Sequence, residues 1–113
     1  GYARAVRVGD VVAVSGTTAV DESGATVGAD AGAQARYAFA KALRALAALG
    51  ASGADVVRTR MYVVDIGRDG DAVGLAHAEA FGEARPAATM VEVRALIAPD
   101  LLVEVEVEAV VGS

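Results

Sequence analysis

Residues 100–110 read DLLVEVEVEAV, and valine and glutamate alternate along the middle of this segment. Val103, Val105 and Val107 occupy every second position, with a glutamate after each. Because side chains alternate across a strand, this pattern predicts a β-strand over 102–111 with one apolar and one acidic face. Three like charges in a row require that the acidic face meet water or cations.

An upstream segment, 56–64, offers such cations. Arg58 and Arg60 alternate there with Thr59 and Met61, so the two arginines share one face of a predicted strand. We expect this arginine face and the glutamate face to lie on the same side of the sheet. Each cross-strand pair of opposite charge would then contribute roughly 0.2–1 kcal/mol.

The remaining segments alternate between strand and helix patterns. Segments 4–8 and 11–15 are β-rich and flank Gly9-Asp10, a two-residue connection that favours a hairpin. Segment 31–49 is made of helix formers, with Asp30 before it as a capping residue.

A second, shorter helix is predicted over 70–81, and a fourth strand over 87–93. The order ββαβαββ predicts a single α+β domain over residues 1–113, with a mixed sheet and both helices on one face. The other face of the sheet then needs its own partner.

Composition limits the partners. The 113 residues are 55% hydrophobic but only 4% aromatic, so the core is built of small side chains, which favours subunit association. A net charge of −5 argues against nucleic acid or an anionic membrane as the main partner. No cysteine, signal-peptide pattern or apolar run of membrane length is present, so we expect a cytoplasmic protein whose partner is a small molecule or another protein.

The candidate chemistry is sparse. His77 is the only histidine, so no histidine-rich metal site is expected, and the favoured interpretation of this residue is a partly exposed position on the second helix. Ser15, Gly16 and Thr17 could admit a ligand to the backbone or could simply end a strand. Glu106 could hold a water as general base or pair with an arginine.

Arg85 leaves two interpretations open as well. It could clamp a carboxylate through two parallel hydrogen bonds, or it could be a solvated loop residue. The residues alone do not choose between these.

Several motifs together resemble the RidA/YjgF family of reactive intermediate deaminases, also described as endoribonuclease L-PSP. They include VSGTTAV at 14–20, GADVVRTRMYVVDI at 53–66, AEAFGEARPAATMVEV at 78–93 and DLLVEVEVEAV at 100–110. They occur in order over essentially the whole chain. The resemblance implies a chorismate-mutase-like α+β fold and a homotrimer whose ligand clefts lie between neighbouring subunits.

The resemblance also implies an activity and its residues. Deaminase members of the family hydrolyse enamines and imines such as 2-aminoacrylate to 2-keto acids and ammonia, with no metal or organic cofactor. An arginine binds the substrate carboxylate, and a strand glutamate, matched here by Glu106, positions the attacking water. Tyr2 resembles the N-terminal cleft tyrosine, Ser15-Gly16 the cleft turn, and Met90 a residue whose backbone amide faces the ligand.

The chain departs from the family pattern at the arginine. Deaminase members read Pro-Ala-Arg where this chain reads Pro86-Ala87-Ala88, and a cleft asparagine is replaced by Leu75. We therefore expect a trimer that binds or converts a small metabolite other than the usual amino-acid-derived imines.

Two alternatives remain for the activity. One is an imine deaminase in which Arg85 or Arg60 replaces the missing cation. The other is a non-enzymatic binding or chaperone-like protein. The acidic, aromatic-poor composition with a single histidine gives a ribonuclease little support.

Overall fold

A computed structural model describes residues 2–112 and contains five strands and two long helices in the predicted order. The strands are β1 (Ala5–Val8), β2 (Val11–Thr18), β3 (Val56–Val63), β4 (Ala87–Glu92) and β5 (Val103–Val110). The helices are α1 (Ala31–Ala48) and α2 (Ile66–Phe81), and a short 3₁₀ turn, Gly53–Asp55, precedes β3. The α+β prediction is confirmed.

The strands form one mixed sheet in the order β1-β2-β5-β3-β4. Only β3 and β4 are parallel, and the other pairs are antiparallel. Strand β5, which carries the alternating sequence, therefore lies at the centre, while β1 and β4 form the two edges. The helices cover one face of this sheet. None of the helices within residues 2–112 has the length and apolar character needed to cross a membrane.

The core lies between the helices and the sheet. Val103, Val105 and Val107 are completely buried on the helix side. Two large rings, Phe39 of α1 and Phe81 of α2, meet edge to face with centroids 5.2 Å apart. Aromatic pairs of this kind add about 0.5–1.5 kcal/mol beyond the area they bury, which matters in a core built mainly of alanine and valine.

The predicted pairing of charges across the sheet is also confirmed. Arg58 lies opposite Glu108 and Arg60 opposite Glu106 in the antiparallel register of β3 and β5. The Arg60 guanidinium contacts the Glu108 carboxylate diagonally at 2.7 Å. Both side chains are more than a third exposed, so solvent screens the pair and its contribution to the stability of the fold is small.

The hairpin between β1 and β2 has the predicted two-residue turn. Val8 pairs with Val11, and Gly9 between them has φ +58°, a conformation that costs glycine little.

Two element boundaries differ from the sequence prediction by more than one residue. Helix α2 begins at Ile66 rather than at residue 70, because the Asp65 carboxylate accepts a hydrogen bond from the Arg68 amide at 3.0 Å and caps an earlier turn. Strand β2 continues to Thr18 rather than ending at Ser15, because a bulge absorbs the irregularity and pairing with β5 resumes.

Candidate functional site

The bulge in β2 forms the first part of the site. The register between β2 and β5 shifts between Val14 and Thr17, which leaves Ser15 and Gly16 without partners on β5, while the Ser15 amide donates to the Arg4 carbonyl at 2.9 Å. The Ser15 hydroxyl donates to the Ala3 carbonyl at 2.6 Å, and the buried Thr17 hydroxyl donates to the Ser15 carbonyl at 2.7 Å. Both hydroxyls therefore hold the backbone of the bulge, and neither is bonded to a base that would activate it as a nucleophile.

A carboxylate lies directly against this bulge. A Cβ atom placed on Gly16 would come within 2.1 Å of Glu104 Oε2, so the carboxylate occupies the space that a side chain would fill. Burial, together with the negative charge of Glu106, raises the pKa of Glu104 above its ordinary value of 4.5. A half-buried carboxylate with a raised pKa is suited to general acid–base chemistry.

Glu106, the glutamate matched to the family's water-positioning residue, lies two residues after Glu104 in β5 and on the same face. It accepts a short hydrogen bond from the Tyr62 hydroxyl, and this bond is the main reason that the pKa of Tyr62 is raised above 10.0. Arg60 lies opposite it in the register. Glu106 thus belongs to a network of side chains that join β3 to β5.

The two arginines considered as substitute cations lie in different surroundings. Arg60 is committed to the ion pair with Glu108. Arg85 is exposed and has φ +51°. It precedes Val91 by six residues. Val91 is in register with Tyr62, and Tyr62 is in register with Glu104. Arg85 is therefore at the opposite end of the sheet from Glu104, beside a depression of about 510 Å³.

Ala88 and Met90 lie on the edge strand β4, away from the bulge. They are in register with Thr59 and Met61 and therefore share the helix side of the sheet. Three strand spacings, roughly 14 Å, separate β4 from β2. A single chain therefore does not bring Ala88 and Met90 together with Ser15 and Gly16.

Two further candidate residues are open to solvent. Leu75 on α2 is 56% exposed, and Tyr2, ahead of β1, is 85% exposed. Neither contributes to an enclosed pocket within one chain.

His77 lies on α2 and is partly exposed, as the sequence predicts. Its Nε2 atom and the buried Thr59 hydroxyl are 2.7 Å apart, and the ring packs between Phe39 and Phe81. Burial lowers the pKa of His77 below 6.5, so the neutral ring is favoured. Within the described chain, no cluster of three histidine, aspartate or glutamate side chains could hold a metal ion.

Neither Glu104 nor Tyr62 was predicted from the sequence to be a site residue. Tyr62 could have been found, because it follows Arg58 and Arg60 at the next alternate position and therefore shares their face. Glu104 could not be distinguished from Glu106, because the bulge decides which glutamate meets Gly16, and no local pattern specifies a bulge.

The architecture defines a class of protein: a mixed five-stranded sheet with two helices on one face and a carboxylate-lined bulge on the other. Residues 1–111 match the family model described as Endoribonuclease L-PSP. The crystal structure of Rv2704 from Mycobacterium tuberculosis, a member of the YjgF/YER057c/UK114 family, superposes with a TM-score of 0.88 at 53% identity. The match covers 97% of this chain and 86% of that one.

Two other relatives match this chain over most of its length. An uncharacterized Streptomyces coelicolor protein is 42% identical over 100% of this chain and 84% of its own length. A Pyrococcus abyssi protein of the RutC family is 34% identical over 93% of this chain and 82% of its own. The chain belongs to the endoribonuclease L-PSP family, and the resemblance to RidA/YjgF proteins is confirmed.

Proposed function

We propose that the chain forms a homotrimer whose clefts, between neighbouring subunits, hydrolyse a C–N bond in a small metabolite that presents no carboxylate at the Ala88 position. The observation that carries this proposal is the Glu104 carboxylate held against the Gly16 bulge, with a raised pKa. In this arrangement Glu104 activates a water. We assign it the role that the family resemblance assigned to Glu106.

The candidate residues fall into two separate groups, here called half-sites, and this separation supports a cleft between subunits. Ser15, Gly16 and Glu104 lie near one edge of the sheet, and Ala88 and Met90 lie on the opposite edge strand. If the β4 edge of one subunit approaches β2 of the next, the two groups of residues meet. The exposed valines on the outer face, Val6, Val8, Val11 and Val91, would be covered in the same assembly.

The side chains on the β4 half of the cleft indicate the class of substrate. Ala88 and Leu75 offer no charge or hydrogen bond where deaminase members carry arginine and asparagine. A substrate carboxylate would lose its solvation there without a charge-assisted partner, at a cost of about 1.5–3 kcal/mol. An uncharged imine or enamine carries no such penalty.

Substrate preference tests the proposal. We expect the purified protein to accelerate hydrolysis of small uncharged imines and to leave freshly generated 2-aminoacrylate at its spontaneous rate. An arginine-bearing relative serves as the positive control for 2-aminoacrylate. Rapid conversion of 2-aminoacrylate would instead favour a deaminase with a substitute cation.

Turnover also tests the non-enzymatic alternative. Failure of the protein to hydrolyse any imine, charged or uncharged, would favour a binding or chaperone-like function. The positions of Arg60 and Arg85 give the substitute-cation reading less support, because one is paired and the other lies at the far end of the sheet.

A further inference from the structure

A polar depression lies beside helix α1, next to the end of β2. It measures about 610 Å³ and lies between the start of β1, the loop after β2 and helix α1. Three basic side chains, Arg4, Lys41 and Arg44, line it, together with the phenol of Tyr37. The protein as a whole carries a net charge of −5, so this local concentration of positive charge stands out.

The ammonium group of Lys41 makes two hydrogen bonds to backbone carbonyls and has one further hydrogen to donate. Its ammonium group donates to the Thr18 carbonyl at 2.9 Å and to the Val20 carbonyl at 2.8 Å. An ammonium has three hydrogens, so one remains for a ligand in the depression. Burial, followed by the charges of Arg4 and Arg44, lowers the pKa of Lys41 below 10.5.

The neighbouring arginines are not neutralised. Of the ten basic residues in the chain, four form ion pairs with carboxylates within the described part: Arg7, Arg36, Arg60 and Arg68. Three of the other six, Arg4, Lys41 and Arg44, line this one depression. Like charges in one place repel one another, and an anion between them would relieve that repulsion.

The two acidic residues of the depression do not take this role. Asp21 Oδ1 accepts from the Ser23 amide, the Ser23 hydroxyl and the Ala25 amide, which holds the loop together and lowers the pKa of Asp21. Its attraction for Lys41 is smaller than the repulsion from either arginine. Glu22 is exposed and makes no ion pair with a described basic residue.

We propose that Arg4, Tyr37, Lys41 and Arg44 form a binding site for a small oxyanion, the phosphate or carboxylate group of a metabolite. The guanidinium groups supply charge-assisted hydrogen bonds, and the third hydrogen of the Lys41 ammonium supplies another. None of these four residues is among those assigned to the proposed cleft, and the site does not depend on the activity of that cleft.

Two-dimensional NMR of the purified protein tests the site. Inorganic phosphate and, separately, succinate are titrated in at an ionic strength held constant with sodium chloride. We expect saturable shifts of the Tyr37, Lys41 and Arg44 amide signals with at least one of the two probes. Phosphate alone would identify the ligand group as a phosphate, and succinate alone as a carboxylate.

Variants separate binding from general screening. The double substitution Arg4→Gln/Arg44→Gln should weaken the binding roughly tenfold or more, because each arginine loses a charge-assisted contact. Lys41→Gln should weaken it similarly, and Arg94→Gln, an exposed arginine elsewhere, should leave it unchanged. Circular dichroism checks that each variant is folded.

Two results would overturn the proposal. One is the absence of saturable shifts with either probe up to tens of millimolar. The other is binding by the folded double variant that is as tight as that of the wild type.

Discussion

At Gly16 the absence of a side chain lets the Glu104 carboxylate lie against the backbone of the bulge. The atom that an added methyl group would meet is the far end of a flexible side chain, so Glu104 can turn away without disturbing the strand. The contact therefore matters to the position of the carboxylate more than to the stability of the fold.

Gly16→Ala should displace Glu104 while leaving the protein folded. We expect a change of about 1 kcal/mol or less in the free energy of unfolding. The carboxyl carbon signal of Glu104, followed by NMR, should titrate closer to 4.5 than in the wild type, because the side chain moves toward solvent. Gly74→Ala is the control: it adds a methyl group in open space on α2 and should stabilise by roughly 0.5–1 kcal/mol. An unchanged Glu104 titration in Gly16→Ala would show that the contact does not position the carboxylate.

Glu104→Gln should stabilise the protein at neutral pH. The raised pKa means that the folded state binds the Glu104 proton more tightly than the unfolded state, so ionisation of this group costs stability as pH rises from 4.5 through the raised pKa. The uncharged amide avoids this cost. We expect a higher Tm for the variant at pH 7 and a difference that shrinks as pH falls toward 4.5. A difference that stays constant across this range would contradict the origin given for the raised pKa.

At the scale of elements, Gln34 ties α1 to two loops. Its amide donates to the carbonyls of Gly28 at 3.2 Å and Asp100 at 3.0 Å, and its oxygen accepts from the Leu102 amide at 2.8 Å. The side chain is almost completely buried. These bonds fix the segment that leads into β5.

Gln34→Met keeps the volume and removes all three bonds. We expect a loss of about 3 kcal/mol in the free energy of unfolding by urea, because three partly buried hydrogen bonds are lost, at about 1 kcal/mol each. Arg36→Met, on the exposed side of the same helix, breaks the solvent-screened surface pair with Glu79 and should cost much less stability than Gln34→Met. Equal losses in the two variants would contradict the structural role of Gln34.

The contact of α2 with β3 through His77 should depend on pH. Because the pKa of His77 is lowered in the folded state, its contribution to stability is fully present above pH 6.5 and is lost as pH falls through the lowered pKa. His77→Gln, which retains a polar partner for Thr59, should remove this part of the pH dependence of Tm. If His77→Gln shows the same change of Tm between pH 7 and 5 as the wild type, this dependence on His77 is refuted.

The elements that could be predicted from sequence are those with strong local patterns. The alternation of valine and glutamate in β5 predicted one apolar and one acidic face, and the alternate positions of Arg58 and Arg60 predicted an arginine face on β3. The pairing of opposite charges across the two strands followed from these predictions. The start of α2 was hidden because Gly67 and Gly70 weaken the helical pattern that Asp65 nonetheless caps.

The candidate site was less predictable, because its geometry depends on long-range pairing. The bulge at Ser15 and Gly16 determines that Glu104 meets Gly16, and the strand order determines that Ala88 lies on the far edge. Neither is encoded in a short window of sequence.

At the scale of the whole molecule, one face of the sheet is covered by helices and the other carries exposed valines. The proposed homotrimer would cover that face and bring the two half-sites together. Sedimentation velocity should give three times the mass of the chain. Val11→Glu, on the outer face, should reduce that mass, whereas Ile97→Glu, which is 92% exposed in a loop, should not. A wild-type protein that sediments as a monomer at micromolar concentrations would contradict the assembly.

The proposed function depends on Glu104 as the carboxylate that activates water in the cleft. The most direct measurement is the rate of hydrolysis of an uncharged imine by Glu104→Gln and Glu106→Gln, compared at neutral pH with the wild type. We predict that Glu104→Gln lowers kcat by about a hundredfold or more, as expected for loss of a general base, and that Glu106→Gln retains most of the activity. Loss of activity in Glu106→Gln with full activity in Glu104→Gln would contradict the assignment.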